Sequence, residues 1–136
     1  MLVYAARTDS PRHEEHRRWL DAVADAETTF GLSELVLSGV IRVLTNRRVF
    51  VNPMPIDAAL GYVDGLRSQP NAVVIEPGPR HWEIFSRLCR AVGARGNLVA
   101  DAYLAALAIE SGSEWITDDH DFARFPGLRW RHPLDG

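Results

Sequence analysis

The chain has 136 residues, 46% of them hydrophobic and 24% charged, the composition of a soluble globular protein rather than a disordered one. Fifteen basic residues against 18 acidic ones give a net charge of −3, which excludes a generally basic nucleic-acid coat but not a local Arg patch. Every basic residue is Arg, so Schiff-base lysine chemistry and the Lys of a phosphate-binding loop are excluded as well.

The first residues, Leu2-Val3-Tyr4-Ala5-Ala6, form an apolar run, where most domains begin with frayed polar residues. This run lacks a basic flank and is too short for a signal peptide. Asp9-Ser10-Pro11 reads as a helix start, with Ser10 as N-cap and Pro11 in the first helical position. The helix is expected to run to Ala26 and to turn Trp19, Leu20 and Val23 inward. Thr28 to Leu32 is β-branched and aromatic, a candidate strand. Ser33 caps a second helix, to Thr45, with Leu35, Val36, Val40, Val43 and Leu44 as apolar faces. Asn52, Pro53 and Pro55 mark a loop. A third helix follows from Ile56 to Ser68 and is stopped by Gln69-Pro70-Asn71.

Ala72 to Ile75 reads as a buried strand ended by Pro77-Gly78-Pro79. Arg80 to Val92 is amphipathic, with Trp82, Phe85, Leu88 and Cys89 expected inside. Gly93 and Gly96 break that helix. Asn97 caps an apolar helix, Leu98 to Glu110, whose lack of a polar face predicts a central position. Ser111-Gly112-Ser113 turns into a strand, Glu114 to Thr117. A loop from Asp118 to Gly127 leads to a last strand, Leu128 to Arg131. No linker or repeat divides the chain, so residues 1–136 read as a single domain. Alternating strands and helices predict an α/β fold with a mostly parallel sheet. The lone Cys89 cannot close an internal disulfide, and no apolar run reaches the length of a membrane span. A cytoplasmic protein without membrane association is therefore expected.

The acids at element junctions carry the chemistry. Glu34 opens the second helix directly after a strand. Asp101 is expected in the first turn of the apolar helix. Asp118, Asp119 and Asp121 follow the strand that ends at Thr117. In a parallel sheet, strand ends and the helix starts after them share one edge, where ligands bind. Converging carboxylates repel one another unless a cation neutralises them. Oxygen-only ligands select Mg2+ or Mn2+, and such ions suit phosphodiester hydrolysis. Structural readings stand beside this one. Acids in first helical turns are favoured by the helix dipole alone, and Asp in a loop also caps turns.

Other polar groups read more weakly. Arg42, Arg47 and Arg48 suit either RNA phosphates or a solvated helix end. His13 and His16, three apart, lack further partners for zinc. Trp19, Tyr62 and Trp82 read as core or dimer packing rather than base-stacking surfaces. His120 sits within the acidic loop, in reach of a substrate bound there.

Ile116-Thr117-Asp118-Asp119-His120-Asp121-Phe122, followed by Phe125-Pro126-Gly127-Leu128, resembles the C-terminal signature of PIN-domain ribonucleases. Ala100-Asp101-Ala102-Tyr103-Leu104 is similar to the family's helix with its third acid. Leu32-Ser33-Glu34-Leu35-Val36, with Arg42, resembles the segment of the second acid. The order matches along nearly the whole chain, and the bacterial VapC-type toxins of toxin–antitoxin pairs are the most similar subgroup. The resemblance implies a PIN-like parallel sheet flanked by helices and Mg2+- or Mn2+-dependent endoribonuclease activity. It implies an RNA substrate, a small VapB-like antitoxin as partner, and a homodimer. By position, Glu34, Asp101, Asp119 and Asp121 would bind metal, and Thr117 would hold a carboxylate or water through its hydroxyl. Asp118 matches no acidic family position and reads as loop surface.

One departure concerns the start. The family's first metal-binding Asp precedes a segment similar to Leu2-Val3-Tyr4-Ala5, so this sequence reads as lacking that Asp and the first strand that carries it. Either the true start lies upstream of Met1 or the chain is a poorly active truncation. The competing function is then a PIN-fold binding protein with impaired catalysis. A Mg2+ phosphohydrolase on another doubly wound fold is disfavoured, because no Asp-x-Asp follows an N-terminal strand.

Overall fold

The computed structural model describes residues 1–135. It divides into two compact units, Met1–Val74 and Ile75–Gly136.

In the first unit, helix α1 (Leu2–Ala6) is followed by α2 (His13–Asp25), strand β1 (Phe30–Leu32), α3 (Glu34–Leu44), α4 (Ile56–Arg67) and β2 (Ala72–Val74). The apolar run at the start is thus helical, with Leu2 and Ala5 buried. Helix α2 starts two residues later than Ser10-Pro11 predicts. Arg12 takes the N-cap position in the left-handed region, φ 54°, and its carbonyl accepts from Nδ1 of His16 at 2.9 Å. That side-chain bond, with Glu14 and Glu15 in the first turn, favours the later start.

Leu37, Val40 and Leu44 of α3 recur at helical spacing and are buried, as are Ala59, Val63 and Leu66 of α4. With Leu2, Ala5 and Leu20 they form one core. Leu35, expected inside, is 53% exposed. Trp19 and Tyr62 pack partly buried against the core, and the Tyr62 hydroxyl donates to the Leu2 carbonyl at 2.7 Å. Strands β1 and β2 pair in parallel, with Gly31 opposite Val73. Asn71 enters β2 and its amide nitrogen contacts the carbonyls of Val23, Ala26 and Thr28 at 3.1, 2.8 and 3.0 Å. One side chain thereby ties the end of α2 and the approach to β1 to the start of β2.

The second unit contains α5 (His81–Val92), α6 (Asn97–Ser111), β3 (Trp115–Ile116), a 3₁₀ turn (His120–Arg124) and β4 (Trp130–Arg131). Helices α5 and α6 pack together. Ala102, Ala105 and Ala106 are fully buried with Leu88, Ile84, Phe122 and Phe125. Three small side chains on α6 allow close helix approach, and the apolar character of this helix is explained by burial rather than by a membrane. Among the described residues no helix is long and apolar enough to cross one.

Asn97 is the first residue of α6 rather than its cap. Gly96 is the N-cap, at φ 60° and ψ −133°, a conformation closed to residues with a Cβ. Trp82, expected inside, is 69% exposed, because the buried side of α5 falls on His81, Ile84 and Leu88. Strands β3 and β4 pair in parallel, Trp115 opposite Trp130 and Ile116 opposite Arg131. Both described strand pairs are therefore parallel, as expected of the α/β reading.

Candidate functional site

Four of the five predicted site residues lie in the second unit, where β3 ends and α6 begins. The ladder continues past β3, since the Thr117 amide donates to the Arg131 carbonyl at 3.0 Å. Thr117 is buried, 8% exposed. Its hydroxyl oxygen accepts from the Asp119 amide at 3.1 Å. The hydroxyl oxygen thus takes a backbone N–H, because the chain turns back over it directly after the strand.

Asp119 is the N-cap of the 3₁₀ turn, and its Oδ1 accepts from the Asp121 amide at 2.9 Å. This is the turn-capping role that short acids perform at helix starts. Asp121 stands in the first turn and pairs with Arg124 at 3.7 Å, both well exposed. Asp118 is half-buried rather than on the surface.

Asp101 is the fifth residue of α6, so it lies in the second turn rather than the first. That weakens the dipole explanation of its presence, since the dipole's influence fades within the first turn. Its carboxyl is pushed above the ordinary Asp value, first by partial burial and then by the negative charges of Asp119 and Asp121. The structure therefore places Asp101 within electrostatic reach of both loop acids, as the sequence predicts for a shared edge. Among the described residues, no three His, Cys, Asp or Glu side chains already stand as a ligand set for a metal ion.

Glu34 belongs to the first unit. It is the first residue of α3, after Ser33 as N-cap, and its Oε2 accepts from the Arg67 guanidinium at 2.9 Å. Arg42 lies in the last turn of α3, and Arg42, Arg47 and Arg48 are all exposed. His13 and His16 each donate Nδ1–H to a backbone carbonyl, those of Tyr4 at 2.8 Å and Arg12 at 2.9 Å. These bonds account for both side chains structurally.

Two features of the second unit are absent from the sequence-level reading. Glu110, near the end of α6, accepts the amides of Gly78 at 2.7 Å and Arg80 at 2.9 Å. An array of three rings, His120, Trp130 and His132, stands over the loop. The alternation of Trp130 and His132 at the end of the last strand was the available signal for the second.

Against known proteins, the PIN domain family model matches residues 1–128. This chain belongs to the PIN-domain family. Within it, the VapC group is where its relatives fall. It is 48% identical over 136 residues to Ribonuclease VapC43 of Mycobacterium tuberculosis, covering 100% of this chain and 92% of that protein. It is 38% identical over 133 residues to Ribonuclease VapC37 of the same organism, covering 98% and 92%. Among solved structures, VapBC2 from Rickettsia felis, bound to a DNA fragment from its promoter, has a chain that matches with TM-score 0.69. That chain is 19% identical, with 96% and 92% of the two chains covered, and it bears out the fold.

Proposed function

We propose that this protein is a metal-dependent endoribonuclease toxin of the VapC type. The observation that carries the proposal is the raised Asp101 carboxyl beside Asp119 and Asp121. Three carboxylates in one place destabilise one another unless something positive joins them. The donor set is oxygen only, which fits Mg2+ or Mn2+. Asp101, Asp119 and Asp121 would hold the cation, and Glu34 is the fourth candidate ligand. A cation bound there supplies charge neutralisation and lowers the pKa of water.

The chain's own residues do the positioning. Thr117, buried at the strand end, holds the Asp119 amide. Asp119 in turn holds the Asp121 amide. This relay fixes the loop backbone between Thr117 and Asp121, the segment that carries both loop carboxylates. Arg124 offsets part of the Asp121 charge from an exposed position. The curated relatives named above are ribonucleases by name, which supports RNA as the substrate and favours catalysis over an impaired binding protein. A VapB-like antitoxin as partner, a homodimer, one domain over residues 1–136 and a cytoplasmic location complete the same reading.

The test is cleavage of a mixed RNA pool in Mn2+ by the parent chain, Asp101→Asn and Asp119→Asn. Cleavage by the parent, with little by either variant, is expected. Equal cleavage by all three discards the carboxylate assignment. An inactive parent that still binds an antitoxin tightly returns the binding-protein reading.

A further inference from the structure

We propose that His120, Trp130 and His132 form a stacking platform for one unpaired base of the RNA, and so set base preference beside the cleavage site. The inference rests on the RNA-cleaving reading above and adds a specificity-determining surface to it.

Trp130 lies in β4 and His132 directly follows that strand; both rings meet His120, while Arg129 and Arg131 turn to other partners. Arg129 donates to the Gly112 carbonyl at 2.8 Å, and Arg131 pairs with Glu114 at 3.2 Å. His120 comes across from the acidic loop. Its ring centroid lies 5.5 Å from that of Trp130, nearly perpendicular at 88°. It lies 6.3 Å from His132, with the planes 25° apart.

The array is joined to the site by covalent and hydrogen bonds. His120 stands between Asp119 and Asp121, and opens the turn that Asp119 caps. The strand residue before His132 accepts the Thr117 amide at 3.0 Å. A base on these rings is therefore held by the same loop that carries Asp119 and Asp121. The rings are also accessible: His120 is exposed, and Trp130 and His132 are half-buried. Half-buried Trp130 forms the floor, and the two His rings, close to parallel with each other, stand as walls across it.

The chemistry suits a nucleobase. Single-stranded RNA is recognised largely by stacking splayed bases on aromatic and His rings, and stacking tolerates any base because each has a π-face. A hydrogen bond holds one of the rings in place: Nδ1 of His132 accepts from the Leu134 amide at 3.1 Å, which leaves Nε2 as its other polar atom.

The probe is a fluorescein-labelled single-stranded RNA hexamer pool, titrated with the full chain in EDTA so that cleavage does not intervene. His120→Ala, on an exposed residue, is expected to weaken binding about tenfold, within the range of one lost base stack. His120→Phe is expected to restore it, because it keeps the ring and loses only the nitrogens. In a parallel cleavage assay in Mn2+, His120→Ala and His132→Ala are expected to raise KM more than they lower kcat. They are also expected to flatten the base preference at one position of the sequenced cut ends. Circular dichroism melts of each variant separate misfolding from lost contact, and the exposed His120 pair decides if a strand variant misfolds. Unchanged affinity and unchanged cut ends in His120→Ala, with the parent cleaving normally, overturn the platform and leave the ribonuclease reading standing. A parent that neither binds nor cuts RNA overturns both.

Discussion

The two ends of helix α6 carry one carboxylate each, and the protein treats them in opposite ways. A helix dipole favours negative charge at the N-terminal end and disfavours it at the C-terminal end. On that ground Asp101 should ionise more easily and Glu110 less. The reverse is found. The Asp101 carboxyl is pushed up by burial and by Asp119 and Asp121, while the Glu110 carboxyl is held below its ordinary value, chiefly by the Gly78 amide and also by that of Arg80. Direct hydrogen bonds outweigh the dipole at Glu110, and at Asp101, one turn in from the N-terminus, burial and nearby charges decide. One end is satisfied by the chain's own amides and serves structure. The other gathers like charges at a cost in stability.

The sharpest way to break this contrast is Asp101→Asn. A carboxyl with a raised folded-state pKa contributes stability that is fully present below its unfolded value and is lost as pH rises through the folded one. At neutral pH the ionised Asp101 is therefore a liability that Asn removes. Cleavage is expected to fall at least about 100-fold, beyond the upper end seen for outer-shell changes at metal sites. The melting temperature in cation-free buffer at pH 7 is expected to rise over the parent's. Below the ordinary Asp value of 3.8 both side chains are neutral and the melts should converge. A variant that melts lower than the parent at pH 7 would remove the like-charge explanation.

Glu34 sharpens the comparison from the other unit. It has a cationic partner, Arg67, at 2.9 Å, with both side chains substantially exposed. Such a pair is worth about 0–1 kcal/mol. Arg67→Ala is expected to cost no more than that in a denaturant melt and to leave RNA cleavage in place. Glu34→Gln is expected to lower cleavage by about tenfold or more, the scale of altered metal sites. Small and equal effects of the two substitutions would reduce Glu34 to its ion pair.

Tyr62 is a half-buried acid of a different kind. Burial pushes its phenol up to about 12, and its hydroxyl donates to the Leu2 carbonyl. The raised value means stability present below the ordinary 10 and lost between pH 10 and about 12. Tyr62→Phe is expected to cost about 1 kcal/mol at pH 7, the net worth of a typical hydrogen bond, and to flatten the alkaline end of the melting curve. An unchanged alkaline limb would assign that loss to other groups.

Much of this was legible in residue spacing. Helices α3, α4 and α5 fall within a residue or two of the apolar repeats that predict them. The loop acids were legible as a run after a strand. The misses share a cause: a bond made with a distant or unexpected partner. Ser10 and Pro11 are a sound helix start locally, yet the Nδ1 bond of His16 to the Arg12 carbonyl accompanies a later one. Trp82 fits the apolar face of α5 by type, yet His81 fills the inward position, its Nε2 donating to the Tyr103 carbonyl at 2.9 Å. Asn71 looks like a turn residue, and its three carbonyl contacts reach 43 to 48 positions back along the chain. Spacing reports which face is apolar, not which polar atom a buried group finds.

Glu110 is the smallest expected effect and the plainest control. Its lowered pKa gives stability present above its ordinary value of 4.5 and lost as pH falls through the folded one. Glu110→Gln keeps one acceptor oxygen and turns the other into an amide donor, so one of the two backbone amides loses its partner. A modest drop in melting temperature at pH 7 is expected, vanishing as the pH falls through the lowered folded-state value because the parent then loses its own carboxylate. Gly78→Ala acts on the same contact from the other side: a Cβ built there stands 2.6 Å from Oε2 of Glu110. It must push the carboxylate off its amides. Two substitutions that break one contact do not add, so the double variant should melt no lower than the worse single one. Additive losses would mean that Gly78 and Glu110 support the fold separately. In that case the amide bonds would no longer explain why the two ends of α6 titrate in opposite directions.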